Sequence, residues 1–145
     1  MKNLLIYDTE TDGLNTQFCE MTSFAARQLT PELKLIDEIH LKGRIPNGVA
    51  PSPTALLVQG EGIEQIQSQS LSSYELSHKV ASFIQEKAPS SIGGYNSSHF
   101  DQQVMRNVFF RNCGNPYEMQ WNHNTTFDVM GVVRILMVLK PDSLV

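Results

Sequence analysis

The chain has 145 residues, of which 41% are hydrophobic and 18% are charged, and its formal net charge is −4 at pH 7. These values indicate a single globular domain and argue against disordered, collagen-like and repeat architectures. The negative charge excludes a general electrostatic attraction for nucleic acid, so any contact with nucleic acid has to be local.

Apolar runs and cysteines indicate the cellular environment. The longest apolar runs, Leu4 to Tyr7 and Ile135 to Leu139, fall far short of the roughly 20 residues that a membrane span needs. The first three residues lack a signal-peptide core. Cys19 and Cys113 lie far apart, without metal-ligand spacing, as is typical of free thiols in a reducing compartment. We therefore expect a cytoplasmic protein that makes no membrane contact.

Strands dominate the first part of the chain. Residues 3–7 form a continuous apolar run that breaks into polar residues, which predicts a central strand. Residues 19–29 and 33–43 predict two more strands, joined as a hairpin by a turn at residues 30–32. A surface connection rich in proline and glycine follows, with one helical turn at residues 54–58. The Gln/Ser-biased stretch at residues 65–73 is predicted to be a loop.

Helices and short strands alternate in the second part. Ser72 and Glu75 fit a capping box, which predicts a helix over residues 73–87. A short strand over residues 91–96 comes next. Ser98 and Asp101 fit a second capping box, opening a helix that ends at Gly114. An apolar helix, preceded by a short strand, is predicted over residues 127–139. This order predicts an α/β fold with a mixed sheet.

Three acidic residues are the candidates for chemistry. Asp8 and Glu10 are two residues apart at the end of a predicted strand, so their side chains lie on the same face of the sheet. Together they suit one Mg²⁺, which prefers oxygen ligands and usually takes one or two carboxylates plus water. Asp101 would lie in the first turn of a helix that follows another short strand. The alternatives are that the first two acids merely begin a loop and that Asp101 is a helix cap.

The residues around these acids resemble two motifs of the DEDD 3′→5′ exonucleases. The first runs Tyr7-Asp8-Thr9-Glu10-Thr11-Asp12-Gly13-Leu14, and the second runs Gly94-Tyr95-Asn96-Ser97-Ser98-His99-Phe100-Asp101. The similarity to the exonuclease I-like members continues in order and spacing through Val104, Arg106-Asn107, Phe109, Arg111-Asn112, Pro116-Tyr117, Trp121 and Asp128-Val129-Met130.

The resemblance implies an RNase H-like fold with a mixed five-stranded sheet flanked by helices. It also implies two Mg²⁺ (or Mn²⁺) ions, with Asp8 bridging both, Glu10 on the ion beside the nucleophile and Asp101 on the other. The implied activity is 3′→5′ hydrolysis of single-stranded DNA to 5′-mononucleotides, with RNA as a possible substrate. No protein partner is indicated.

The same resemblance suggests substrate-binding residues. Thr11, Gly13 and Leu14 look like part of a pocket for the 3′-terminal nucleotide, and Asn96 and Arg106 like contacts to the strand. Phe109, Phe110 and Trp121 could stack on bases, although Phe109 and Trp121 are more typical of core residues.

The chain departs from the family in one respect. Family members carry a fourth carboxylate and a general-base histidine with His-x₄-Asp spacing on a later helix. His123 and Asp128 have that spacing, but the similarity places Asp128 in the element before that helix. We therefore expect residues 1–145 to form an exonuclease domain that is incomplete at its C-terminal end and very weakly active. The alternative is a shortened, inactive nucleic-acid-binding or interaction domain.

Overall fold

The computed structural model describes residues 1–144. Its ten main elements, in chain order, are β1 (Asn3–Thr11), β2 (Met21–Leu29), β3 (Leu35–Lys42), α1 (Pro53–Gln59), α2 (Ile63–Gln67), α3 (Ser73–Glu86), β4 (Ser90–Gly94), α4 (Asp101–Arg111), β5 (Thr125–Asp128) and α5 (Val129–Leu139). Short 3₁₀ turns lie at Glu118–Gln120 and Pro141–Leu144.

The strands form one mixed sheet in the order β3-β2-β1-β4-β5. The first three strands are antiparallel neighbours, whereas β4 runs parallel to both β1 and β5. This arrangement confirms the predicted α/β fold with a mixed five-stranded sheet. It also places the carboxyl ends of β1 and β4 at the same edge, since parallel strands end on the same side.

The core lies on the face of the sheet that α3 and α4 cover. Alternation along β1 directs Leu5, Tyr7 and Thr9 into this core, where they are buried. Val80 and Phe109 are among the helix residues packed there. The intervening residues of β1 therefore point away from the helices.

Several sequence predictions are confirmed. The chain turns between β2 and β3 through residues 30–34, where the amide of Thr30 donates to the carbonyl of Lys34 at 2.8 Å. At the start of α3 both halves of the capping box are present, because Ser72 accepts from the amide of Glu75 and the Glu75 side chain accepts from the amide of Ser72. A short strand, β5, does precede α5.

Three sequence predictions are wrong. Helix α2 extends over residues 65–67 of the stretch predicted to be a loop, and its residue Ile66 is buried. Ser98 and Asp101 do not form a capping box, because the N-cap position of α4 is Phe100 and makes no side-chain cap bond. Trp121 is 58% exposed and is not a core residue.

The last helix, α5, is strongly apolar but buries none of its described residues. Among the described residues, no helix is long and apolar enough to cross a membrane.

Candidate active site

Asp8 and Glu10 stand side by side on the sheet face that α3 and α4 leave open. Both side chains are exposed, whereas Thr9 between them is buried. Across the sheet, Asp8 pairs with Ala25 and Glu10 with Ser23. Both carboxylates therefore share one face of the sheet, as their spacing of two residues predicted.

Asp101 approaches β1 from the first turn of α4. Its side chain is 7% exposed, and its Oδ1 accepts a hydrogen bond from the Thr9 hydroxyl. Burial raises the pKa of Asp101, the Thr9 bond opposes this shift, and the charge of Asp8 adds to it. The contact with Thr9 takes the place of the predicted cap and fixes this carboxylate beside the strand that carries the other two acids.

Asp8 acts electrostatically on the other two carboxylates. Burial raises the pKa of Glu10, and the negative charges of Asp8 and Asp101 raise it further. Like charges act on one another's pKa at short range. Such a concentration of carboxylates at the end of a strand is typical of sites that bind a cation.

The fit to a metal ion rests on these oxygen donors. Asp8 and Glu10 are exposed on one face and suit a Mg²⁺ ion that keeps most of its water. Among residues 1–144, however, no group of three or more His, Cys, Asp or Glu side chains is arranged to hold a metal ion. The described residues thus fit one weakly held hard cation at Asp8 and Glu10, with Asp101 engaged by Thr9.

The predicted nucleotide pocket lies where β1 ends. The Thr11 hydroxyl is buried and donates to the carbonyl of Gly13 at 2.7 Å, so it stabilises the turn. Leu14 is 78% exposed and Phe18, on the same loop, is 70% exposed. These two apolar side chains are available to contact a base.

Helix α4 holds this loop in place. The Asn107 side-chain amide donates to the carbonyl of Thr16 at 2.9 Å. The Arg111 guanidinium donates to the carbonyls of Gln17 and Cys19, each at 2.6 Å, and contacts Glu20 at 3.1 Å. The helix that carries Asp101 therefore also positions the loop that carries Leu14.

Asn96 and Arg106 contact residues other than the three acids. Asn96 adopts a left-handed backbone conformation with φ of 56°, and its amide donates to Asp128. Arg106 is five residues beyond Asp101, and its guanidinium lies 5.0 Å from the centre of the Tyr117 ring. Both side chains are exposed, but no described contact joins either one to the three acids.

His123 and Asp128 have different surroundings in the structure. The Asp128 carboxylate accepts from the amides of Asn96, Ser98 and Met130 and from the Ser98 hydroxyl. These bonds lower the pKa of Asp128. His123 is exposed in the preceding loop, with a φ of 62°. Asp128 is the last residue of β5 and the N-cap of α5. This position agrees with the prediction that Asp128 precedes the helix on which the family carries its His-x₄-Asp pair.

Sequence reasoning missed a second group of polar residues beside Glu10. A cavity of about 200 Å³ is lined by Glu10, Ser23, His40, Lys42, Gln59 and Glu61. The Gln59 side chain also donates to the carbonyl of Thr11, which ties α1 to the end of β1. Only the register of the hairpin could have indicated His40 and Lys42, because neither lies in a recognisable motif.

Comparison with known proteins shows which proteins this chain resembles. The chain is 30% identical over 144 residues to exodeoxyribonuclease I of Buchnera aphidicola subsp. Schizaphis graminum. This aligned region covers 98% of this chain and 30% of that protein. The chain is 28% identical over 142 residues to exodeoxyribonuclease I of Escherichia coli, covering 97% of this chain and 30% of that protein. No protein-family model matches the chain.

Solved structures agree with the sequence comparison. An exonuclease I structure superposes with a TM-score of 0.92 at 26% identity, covering 98% of this chain and 31% of that one. The chain is exonuclease I-like. A structure of E. coli exonuclease I in complex with a dA16 oligonucleotide gives a TM-score of 0.91 at 26% identity, with coverage of 98% and 31%. The chain thus has an RNase H-like fold and spans about 30% of the length of the curated relatives it matches.

Proposed function

We propose that residues 1–145 are the exonuclease domain of a 3′→5′ exodeoxyribonuclease that acts on single-stranded DNA. One observation carries the proposal: Asp8 and Glu10 share an exposed sheet face beside Asp101, in a chain similar over nearly its whole length to exodeoxyribonuclease I. The catalytic residues would be these three acids. RNA is the alternative substrate, since none of the described side chains is assigned to the sugar 2′ position.

The reaction is hydrolysis of the last phosphodiester bond. Water adds to the phosphorus and the bond from phosphorus to the 3′ oxygen breaks. The products are a 5′-mononucleotide and a strand that is one nucleotide shorter with a new 3′-hydroxyl. A divalent ion, when bound, supplies positive charge that stabilises the attacking and leaving oxygens. We propose Mg²⁺ or Mn²⁺. The described donors fit one ion at Asp8 and Glu10, and a second ion would be shared by Asp8 and Asp101.

The substrate-binding part of the proposal uses the loop after β1. Leu14 would press on the terminal base, the backbone of Thr11 and Gly13 would line the pocket, and Asn96 and Arg106 would contact the strand. The exposure of Leu14 supports its role. The position of Arg106 over the Tyr117 ring supports a platform of charge and aromatic surface, which suits stacking and phosphate contact.

A second function has its own support. Among residues 1–144 no three metal-ligating side chains are arranged around an ion, and Asp128 is committed to hydrogen bonds that cap α5. These observations favour an inactive domain that binds nucleic acid. Both functions predict binding of single-stranded DNA, whereas only the first predicts release of mononucleotides.

The test combines ion binding with product release. Calorimetric titration with Mg²⁺ or Mn²⁺ should show weak binding that Asp8→Ala abolishes, while the exposed control Glu32→Ala leaves it unchanged. Release of mononucleotides from a 3′-labelled oligonucleotide should be very slow in the wild type, because a positioned general base typically contributes 10² to 10⁴-fold and none is assigned to this site. Release should be undetectable in Asp8→Ala and Glu10→Ala, because each variant loses a proposed ligand of the ion.

Each outcome of this test is decisive. DNA binding without any mononucleotide release would identify the inactive binding domain. Turnover that is indifferent to Asp8 and Glu10 would overturn the assignment of the site. Robust turnover that His123→Ala abolishes would show that His123 is the base.

A further inference from the structure

Two basic side chains stand on the same sheet face as the candidate catalytic acids. In the register of the sheet, Glu10 pairs with Ser23, which pairs with Lys42. One row along, Asp8 pairs with Ala25, which pairs with His40. Residues directly opposite one another project from the same face. At a strand spacing of roughly 4.8 Å, β3 is about 10 Å from β1, a distance that one nucleotide can bridge.

The spaces beside these rows form a groove. The cavity of about 200 Å³ at Glu10 and Lys42 and a larger one of about 740 Å³ at Asp8 share His40 as a lining residue. The larger cavity has an apolar floor that includes Ile6 and Ala25. The groove therefore passes both exposed acids and continues toward β3, with His40 at the junction.

Lys42 is held at this place by an ion pair. Its ammonium group contacts the carboxylate of Glu61, in the connection between α1 and α2. The two side chains are 31% and 21% exposed, so both are partly shielded from water. The charge of Lys42 also lowers the pKa of Glu10, against the effects of burial and the nearby acids. Lys42 is thus electrostatically close to Glu10.

Arg27, on β2, also projects from this face but is engaged differently. Arg27 lines the larger cavity, but its guanidinium pairs with Glu38 at 3.1 Å and both side chains are more than half exposed. Lys42, by contrast, faces a cavity that an anion can enter beside the acids. A phosphate arriving there would replace the carboxylate of Glu61 as the anion that Lys42 contacts.

We propose that Lys42 binds the nucleic acid by contacting a backbone phosphate near its 3′ end. Lys42 releases the carboxylate of Glu61 when it makes this contact. His40, whose Nε2 lies 3.1 Å from the Ser23 hydroxyl, stands beside the same path. The chain has a net charge of −4, and its site is rich in carboxylates that repel phosphate. A lysine offsets this repulsion as a compact point charge. This inference rests on the proposed binding of single-stranded DNA.

The experiment measures equilibrium binding, which does not depend on turnover. A 5′-labelled single-stranded oligonucleotide is titrated with the full chain in Ca²⁺, and fluorescence anisotropy is recorded at several salt concentrations. Lys42→Ala should weaken binding several-fold and reduce the slope of log K against log salt by about 0.7, the value for one phosphate contact on a single strand. Lys42→Arg should restore both. Lys34→Ala, an exposed lysine in the β2–β3 turn, is the matched control and should change neither.

A second variant tests the exchange of anions. Glu61→Gln should tighten binding, because Lys42 no longer has a competing carboxylate, and this gain should vanish in the double variant with Lys42→Ala. Equal salt slopes for the wild type and Lys42→Ala, or a gain from Glu61→Gln that persists without Lys42, would overturn the inference. Failure of the wild type to bind DNA would refute the proposed function itself.

Discussion

The role of Asp128 can be tested directly. Its spacing from His123 suggests a catalytic role, whereas its hydrogen bonds indicate a structural one. The carboxylate accepts four hydrogen bonds, from the amides of Asn96 at 3.0 Å, Ser98 at 3.1 Å and Met130 at 2.9 Å and from the Ser98 hydroxyl at 2.5 Å. It therefore joins the loop after β4 to the start of α5. We predict that Asp128→Ala destabilises the fold and leaves Mg²⁺ binding unchanged.

The expected loss follows from these contacts. Removing an N-cap carboxylate costs about 1 kcal/mol. The bonds to Asn96 and Ser98 have a charged acceptor, but the site is partly exposed, so they add about 1 kcal/mol more. The total of about 2 kcal/mol corresponds to a fall in melting temperature of about 5 to 10 °C for a chain of this size. Asp128→Asn, which keeps the shape but not the charge, should lose about half as much.

The effect should depend on pH in a defined direction. Because its hydrogen bonds lower the pKa of Asp128 in the folded state, the stabilisation is fully present above the ordinary aspartate pKa of about 3.9. It is lost as the pH falls through the lower folded-state value. The difference between wild type and Asp128→Asn should therefore be constant from pH 7 to about pH 5 and shrink below about pH 4.

The assay is urea unfolding followed by circular dichroism across this pH range, combined with calorimetric titration of Mg²⁺. Glu32→Ala, an exposed acid in the β2–β3 turn, is the control and should stay within about 0.5 kcal/mol of the wild type. Unfolding unchanged by Asp128→Ala, with Mg²⁺ binding lost, would refute the structural assignment and restore Asp128 as a metal ligand.

Three further predictions concern single side chains. Asp101→Asn should weaken Mg²⁺ binding yet keep thermal stability within about 1 kcal/mol, because the amide oxygen can still accept from Thr9 and the buried charge is removed; a large loss of stability in a melting experiment would contradict this. Tyr7→Phe should leave urea stability unchanged or raise it by up to about 1 kcal/mol, since the buried Tyr7 hydroxyl lies near Ser97 but makes no hydrogen bond of ordinary geometry among the described residues; a clear loss would show that the contact with Ser97 is a stabilising hydrogen bond. Cys113, which is exposed, should react with a thiol reagent well before Cys19, whose pKa burial raises to about 11; mass spectrometry of the partly modified chain would show the reverse order if the loop at Cys19 opens readily.

Residues close together in the sequence were enough to predict the elements that depend only on neighbouring residues. The capping box of α3 needs only Ser72 and Glu75, three residues apart, and the hairpin needs only the turn at residues 30–32. In the same way, the spacing of Asp8 and Glu10 on one strand is enough to place both carboxylates on one face. The motifs around these acids were sufficient for the family resemblance, which comparison with exodeoxyribonuclease I confirmed.

Contacts between distant segments decided the rest. Ser98 and Asp101 have capping-box spacing, but their side chains bond instead to Asp128 and Thr9, residues that no local pattern brings near. Similarly, His40 and Lys42 reached the face of the acids because the pairing of β1 with β2 and of β2 with β3 fixes the rows across the sheet. A strand pattern gives the face on which a residue lies within its own strand. The register that aligns one strand with another depends on the segments that connect the strands, residues 12–20 and 30–34 here, and on packing, so it became known only from the tertiary structure.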